Sequence, residues 1–267
     1  MFRRGRLAML ALAASAAPAA GQDHVLQRLE SSPRHHEWVQ VKVGDRTIHS
    51  FLAFPEVSEK ATAVILIHEN RGLTDWVRGV ADQLAEAGYI AIAPDLLSGM
   101  APGGGRTKDF PTTDAAREAN GQLKPEEVMA SLQAVADHVA KLPAANGKVA
   151  VAGYCWGGGQ SFRFATQRAD LAAAFVFYGA FQHTRDDLAA IRAPVYGFYG
   201  GDDARINATI PGTEALMKEL GKKYEPVIYE GAGHGFLRSG EEPTASEANR
   251  KARDQAWARW KEVLGKL

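Results

Sequence analysis

One cysteine stands in the 267 residues, and its surroundings single it out: Gly153-Tyr154-Cys155-Trp156-Gly157. The apolar run Lys148 to Ala152 leads into it, and a helical stretch from Gly158 to Arg168 follows. This is the strand-turn-helix setting of a nucleophile elbow, with sulfur in place of the more usual serine oxygen. The turn is so sharp that a Cβ two residues to either side of the nucleophile would collide with neighbouring backbone, hence the flanking glycines. Gly158 and Gly159 let the following helix pack close. At a helix N-terminus the partial positive charge of the free N–H groups favours a thiolate and, later, an oxyanion. A lone thiol also excludes an internal disulfide, a CxxC pair and a multi-thiolate zinc site.

A thiol nucleophile needs a base and a group that orients the base, and an elbow of this kind receives them in the chain order nucleophile, acid, histidine. The acid belongs after the apolar run Val195 to Tyr199, where Gly200-Gly201-Asp202-Asp203 stands; Asp203 is taken in preference to Asp202. The base belongs in a glycine-rich loop after the run ending near Tyr229. Of eight histidines, only His234, in Gly231-Ala232-Gly233-His234-Gly235-Phe236, has that setting. An oxyanion site would combine the N–H of Trp156 with one from the loop His68-Glu69-Asn70-Arg71-Gly72, taken as Asn70. Glu69 then falls close to the thiol. His68 beside Glu69 lacks the further spaced ligands a zinc site needs, so neither metal nor cofactor is expected.

These residues must be carried by elements that end near one another. Glu37 to Val43 and Thr47 to Phe54, separated by Gly44-Asp45, read as an antiparallel hairpin. From Ala63 onward short apolar runs alternate with amphipathic stretches, which marks an α/β fold with a mostly parallel sheet and helices on both faces. Strands are predicted at Ala63 to His68, Tyr89 to Ala93, Lys148 to Ala152, Ala173 to Tyr178, Val195 to Tyr199 and Glu225 to Tyr229. Helices are predicted at Leu73 to Ala87, Pro125 to Lys141, Gly158 to Arg168, Pro211 to Lys222 and Ala245 to Leu264. Trp257 and Trp260 on the last read as core. Pro102 to Thr113 reads as a surface excursion, either bordering a pocket or plain loop.

Lys+Arg 31 against Asp+Glu 31 leaves no global basic field, which argues against nucleic acid as a partner. Arg3, Arg4 and Arg6 precede an uncharged Ala/Leu-rich run, Leu7 to Ala17, and small residues follow at 17–21. This reads as a cleaved signal over 1–21, with a polar leader through His36, one domain over 22–267, a mildly acidic mature chain and a periplasmic or secreted location. The apolar run falls short of the ~20 residues a permanent span needs, so no membrane anchor is expected after cleavage.

With these motifs assembled, the chain resembles the dienelactone hydrolase family of the α/β-hydrolase superfamily from about Val39 to the C-terminus. The resemblance rests on His68-Glu69-Asn70-Arg71-Gly72, Ala93-Pro94-Asp95-Leu96, the elbow through Gly158, the Gly201/Asp203 turn and Gly233-His234-Gly235-Phe236. It implies an α/β-hydrolase fold and a Cys155, Asp203, His234 triad that opens a lactone or related ester through an acyl-thioester. It also implies that Glu69 shifts when substrate binds and helps convert the resting thiol to thiolate. Relatives acting on dienelactone hold its carboxylate with two arginines; Arg238 looks like one, and the position of the other falls in Leu97-Ser98-Gly99, with Arg71 or Arg106 as substitutes. A thioesterase or small-acyl esterase on the same site, and a non-catalytic binding or thiol-sensing protein, stand as alternatives. The oligomeric state is open.

Overall fold

Seven consecutive buried residues, Ala61–Ile67, form β3. A strand apolar on both faces must be covered from both sides, and this one lies at the centre of the sheet. The computed structural model describes residues 20–267, with side chains from residue 24; all but the last two residues of the candidate signal, 1–21, lie outside the described residues.

In chain order the elements are α1 (Ala20–Glu30), β1 (His36–Val43), β2 (Arg46–Ala53), β3, α2 (Asp75–Glu86), β4 (Ile90–Pro94), α3 (Thr113–Gly121), α4 (Pro125–Ala140), β5 (Ala145–Tyr154) and α5 (Trp156–Gln167). They continue with β6 (Ala173–Phe177), α6 (Arg185–Ala190), β7 (Val195–Gly200), α7 (Ala204–Asn207), α8 (Ile210–Glu219), β8 (Tyr224–Tyr229), α9 (Phe236–Ser239) and α10 (Glu247–Leu264). One sheet holds all eight strands in the order β1-β2-β4-β3-β5-β6-β7-β8. β1 and β2 form the expected antiparallel hairpin, turning on Gly44 at φ 57°, and β2 meets β4 antiparallel. From β4 across to β8 every pairing is parallel. The fold is that of an α/β-hydrolase.

Two cores follow from burial on both faces. Val128, Leu132 and Val135 of α4, Phe162 of α5, Leu188 of α6 and Met217 of α8 cover one face. Val25 and Leu29 of α1, Val77 and Leu84 of α2, and Ala256 and Trp260 of α10 cover the other. Trp260 is fully buried and Trp257 partly so, in the core position expected of them.

The leader through His36 is a correction. Residues 20–30 form α1, whose Val25 and Leu29 dock on α2, and the segment after it is tied down by a buried acid. Asp82 of α2, 1% exposed, accepts from Ser32 Oγ (2.6 Å), Arg34 Nε and Nη2 (2.7 and 2.8 Å) and lies 2.8 Å from His36 Nε2. The excursion Pro102 to Thr113 is also more ordered than a plain loop. It makes two short 3₁₀ turns and hands over to α3, which Thr112 caps by accepting from the Ala115 N–H.

Candidate active site

The carboxyl ends of the parallel strands deliver all the candidate residues to one edge of the sheet, where open α/β sheets bind ligands. The loop after β3 carries Glu69, Asn70 and Arg71. The end of β5 carries Cys155, the turn after β7 carries Asp203, and the loop after β8 carries His234.

Cys155 has φ 55° and ψ −116°, a conformation that costs an L-residue energy and persists only where its surroundings over-determine it. They do so here. Its N–H donates to Phe177 O at 3.0 Å, and its carbonyl accepts from Gly158 and Gly159. A Cβ on Gly153 would lie 1.9 Å from Gly157 O, and one on Gly157 would lie 2.3 Å from Ile67 O. Both glycines are thus required by close backbone approach, as the sequence pattern implies. The sulfur side chain is partly exposed.

His234 sits on a half-exposed loop with Nδ1 2.5 Å from Oδ2 of the buried Asp203. Contact with the Cys155 side chain does most to raise the imidazole; burial opposes it, the Asp203 bond adds to it, and His234 is raised to about 9. Asp203 also caps α7 by accepting from the Ile206 N–H, whereas Asp202 is exposed and only its backbone N–H is engaged, by Ala232 O. Of the two acids in that turn, the structure places Asp203 against the histidine.

Among the described residues, neither the Asn70 nor the Trp156 N–H is engaged in a hydrogen bond. The Trp156 ring stacks on His68 (centroids 5.5 Å, 18° between planes). His68 is fully buried, with Nδ1 donating to Glu69 O (2.7 Å) and Nε2 accepting from Leu96 N–H (3.3 Å). Burial lowers its pKa, in keeping with this neutral tautomer. His68 therefore braces the β3 loop against the β4 loop, and no group of three or more His, Cys, Asp or Glu gathers around it or elsewhere among the described residues.

The glutamate and the arginine that the resemblance brings to the site meet as a pair. Glu69 is buried, with its carboxylate held by Arg238: Nε donates to Oε2 at 3.0 Å. Arg238 in turn is not free at a pocket mouth, since its Nη1 also lies 3.5 Å from Glu242 Oε1. Burial opposes the charge on Arg238, and Glu69, Tyr178 and Glu242 together more than offset it, raising its pKa. Ser98 is buried in a turn, donating to Asp95 O and accepting from His49 N–H. Arg106 stacks 3.7 Å over Trp38 beside a cavity of about 110 Å³ that no triad residue lines. Arg71 is partly buried and makes no ion pair among the described residues.

The sequence profile of the dienelactone hydrolase family matches residues 48–267. The chain belongs to this family. As a member it is a hydrolase. A protein named "Putative carboxymethylenebutenolidase" from Saccharolobus solfataricus is 28% identical over 258 residues, 82% of this chain and 94% of the relative. One of the same name from Salmonella typhimurium is 30% identical over 229 residues, 79% and 81% of the two chains. Among solved structures, a dienelactone hydrolase-like promiscuous phosphotriesterase, P91, from metagenomic libraries superposes with TM-score 0.74 at 21% identity, covering 88% of this chain and 98% of its own. The dienelactone hydrolase from Anabaena variabilis gives TM-score 0.63 at 22% identity, covering 85% and 96%. At these identities the structural likenesses speak for the fold.

Three site-building residues lie outside the motifs that carry the family resemblance. Tyr178, at φ 39° and fully buried, sets its ring 5.2 Å from the His234 ring; burial, and then the charge of Glu69, push its phenol well above the ordinary range. Asn249 and Glu241 hold the His234 loop from α10 and from the end of α9, and no local spacing reveals them.

Proposed function

We propose that the chain is an exported, cofactor-independent hydrolase that opens lactones or cleaves related carboxylic esters with Cys155 as nucleophile. The observation that carries this reading is the grouping at the elbow: buried Asp203 on His234 Nδ1, and the Cys155 side chain near enough to the imidazole to raise its pKa. Asp203 fixes the ring and stabilises the imidazolium left when His234 takes the thiol proton. The thiolate attacks the substrate carbonyl carbon, and the oxygen becomes an oxyanion facing the N–H groups of Asn70 and Trp156. Collapse breaks the ester C–O bond; the leaving oxygen takes the proton from His234, and the acyl group stays on sulfur as a thioester. His234 then deprotonates a water, which attacks the thioester. The second oxyanion collapses, expelling thiolate and releasing the acid. Export rests on the Arg-led, Ala/Leu-rich segment within 1–21. A mature terminus at Ala20 or Gln22 would leave α1 to dock on α2.

The test is a panel of lactones, aryl esters and thioesters, with intact mass spectrometry for an acyl adduct on Cys155. Cys155→Ala should abolish turnover and adduct while circular dichroism stays unchanged, and His234→Ala should lose on the order of 10²- to 10⁴-fold in turnover. A Cys155→Ala protein near the wild-type rate would overturn the reading.

A further inference from the structure

We propose that β8 is an interface between two copies of this chain, which pair it edge to edge and antiparallel about a two-fold axis at Val227. β8 is the last strand of the sheet, so only one of its sides meets a neighbour. The carbonyls of Lys223 and Tyr229 accept from the N–H groups of Val195 and Gly201 at the two ends of β7. Backbone groups alternate along a strand, so those of Tyr224, Pro226 and Ile228 point outward. Among the described residues nothing hydrogen-bonds to them. Ile228, 51% exposed, stands on the same edge. An edge this open is a template for another strand. Beside it, between β8 and α10, lies a groove of about 420 Å³ lined by Val227, Ala248, Ala252 and Gln255.

The charges at the strand ends point to a second copy as the occupant. Lys222 precedes β8 and Glu230 follows it, and neither makes an ion pair among the described residues, whereas Lys223 and Glu225 pair with each other at 3.1 Å. An antiparallel copy brings each free lysine to the other's free glutamate. With the axis at Val227, Glu230 stands opposite the partner's Tyr224 and diagonal to the partner's Lys222, a spacing that long side chains bridge. The Ile228 N–H donates to the carbonyl of the partner's Pro226, and the Glu230 N–H to that of the partner's Tyr224; both bonds repeat across the axis. Pro226 has no N–H, so the ladder lacks that donor in each copy. Val227 and the partner's Val227 form a non-hydrogen-bonded pair, where side chains approach most closely, beside the groove. Ile228 is covered by the partner's Pro226. The same patch serves both copies, so the two-fold axis closes the contact at a dimer. The carboxyl ends of the two sets of strands then point in opposite directions, and the two candidate active sites open away from each other.

Sedimentation equilibrium of the purified protein at micromolar loading reads the outcome. The wild-type chain should show twice its own mass. Ile228→Asp should raise the dimer dissociation constant about 100-fold while far-UV circular dichroism stays that of the wild type. Glu230→Lys and Lys222→Glu, each alone, should weaken the dimer by roughly 10-fold, because each sets like charges against each other across the axis. The two together should restore it. Both charge variants lie outside the core, so they keep the test decisive if Ile228→Asp misfolds. A wild-type chain that stays monomeric at every loading overturns the proposal, and so does a dimer indifferent to Ile228→Asp. A dimer that each charge variant weakens and the double exchange fails to restore overturns the antiparallel register, and the proposal with it.

Discussion

His234 carries the clearest pH signature in the molecule. Its folded pKa, about 9, stands above the ordinary 6.5 because the Cys155 and Asp203 side chains favour the imidazolium. Folding therefore tightens proton binding, so this contribution to stability is full below about pH 6.5 and is lost as pH rises through about 9. The urea midpoint of wild type should fall between pH 6.5 and 9.5 more steeply than that of His234→Gln; parallel declines would refute the assignment. At this scale the triad positions were legible because each announces itself locally, by glycines two residues from a thiol or by a glycine-rich loop after an apolar run. The Glu69 and Arg238 ion pair was not legible, because it joins the loop after β3 to α9, 169 positions apart. Type and spacing put both residues near the site, while only the folded geometry shows that they neutralise each other.

Among elements, α9 and α10 act as the mount of the histidine loop. Asn249, in the first turn of α10, accepts from Gly233 N–H (2.9 Å) and donates to Ser239 Oγ (3.1 Å), so one amide grips the loop on both sides of His234. Glu241 fastens the end of α9 by accepting from Trp76 Nε1 and Gln83 Nε2 of α2 and from Arg253 Nη2 of α10. Asn249→Ala should lower kcat on the order of 10- to 100-fold with little change in KM, since it displaces the proposed base by a fraction of an ångström and lies outside the proposed substrate site. Asn249→Asp, which keeps the acceptor for Gly233, should recover part of the loss; a KM effect alone would count against the idea. Of the seven described helices of nine or more residues, α2, α4, α5, α8 and α10 were legible from periodicity to within a few residues, as were all eight strands; α1 and α3 were not. α6, α7 and α9, of four to six residues, are too short to show a period, and α1 buries so few residues that its composition reads as leader.

At the scale of the whole molecule, α1 adds Val25 and Leu29 to the core, and the segment after it is held by charge. Asp82 holds the chain after α1 through Ser32, Arg34 and His36, and Arg34→Ala would leave a buried carboxylate short of its cation. The expected loss is about 3 kcal/mol, read as a fall in Tm of roughly 6–12 °C for a chain of this size. A shift below 2 °C would show that the clamp is incidental. The class of fold was visible in the alternation of apolar runs and helices, whereas strand order was not, because register depends on which distant runs meet. The central pairing of β3 with β5, where Val64 faces Ala150, also gives the molecule a history. The intervening chain must be gathered before that contact returns anything, so the middle of the sheet closes late in folding. The elbow stands on β5 and hangs from Phe177 of β6, so its strained turn forms only then. Before the sheet closes, Cys155 is an ordinary cysteine of the chain, and its strained backbone comes into being with the completed sheet.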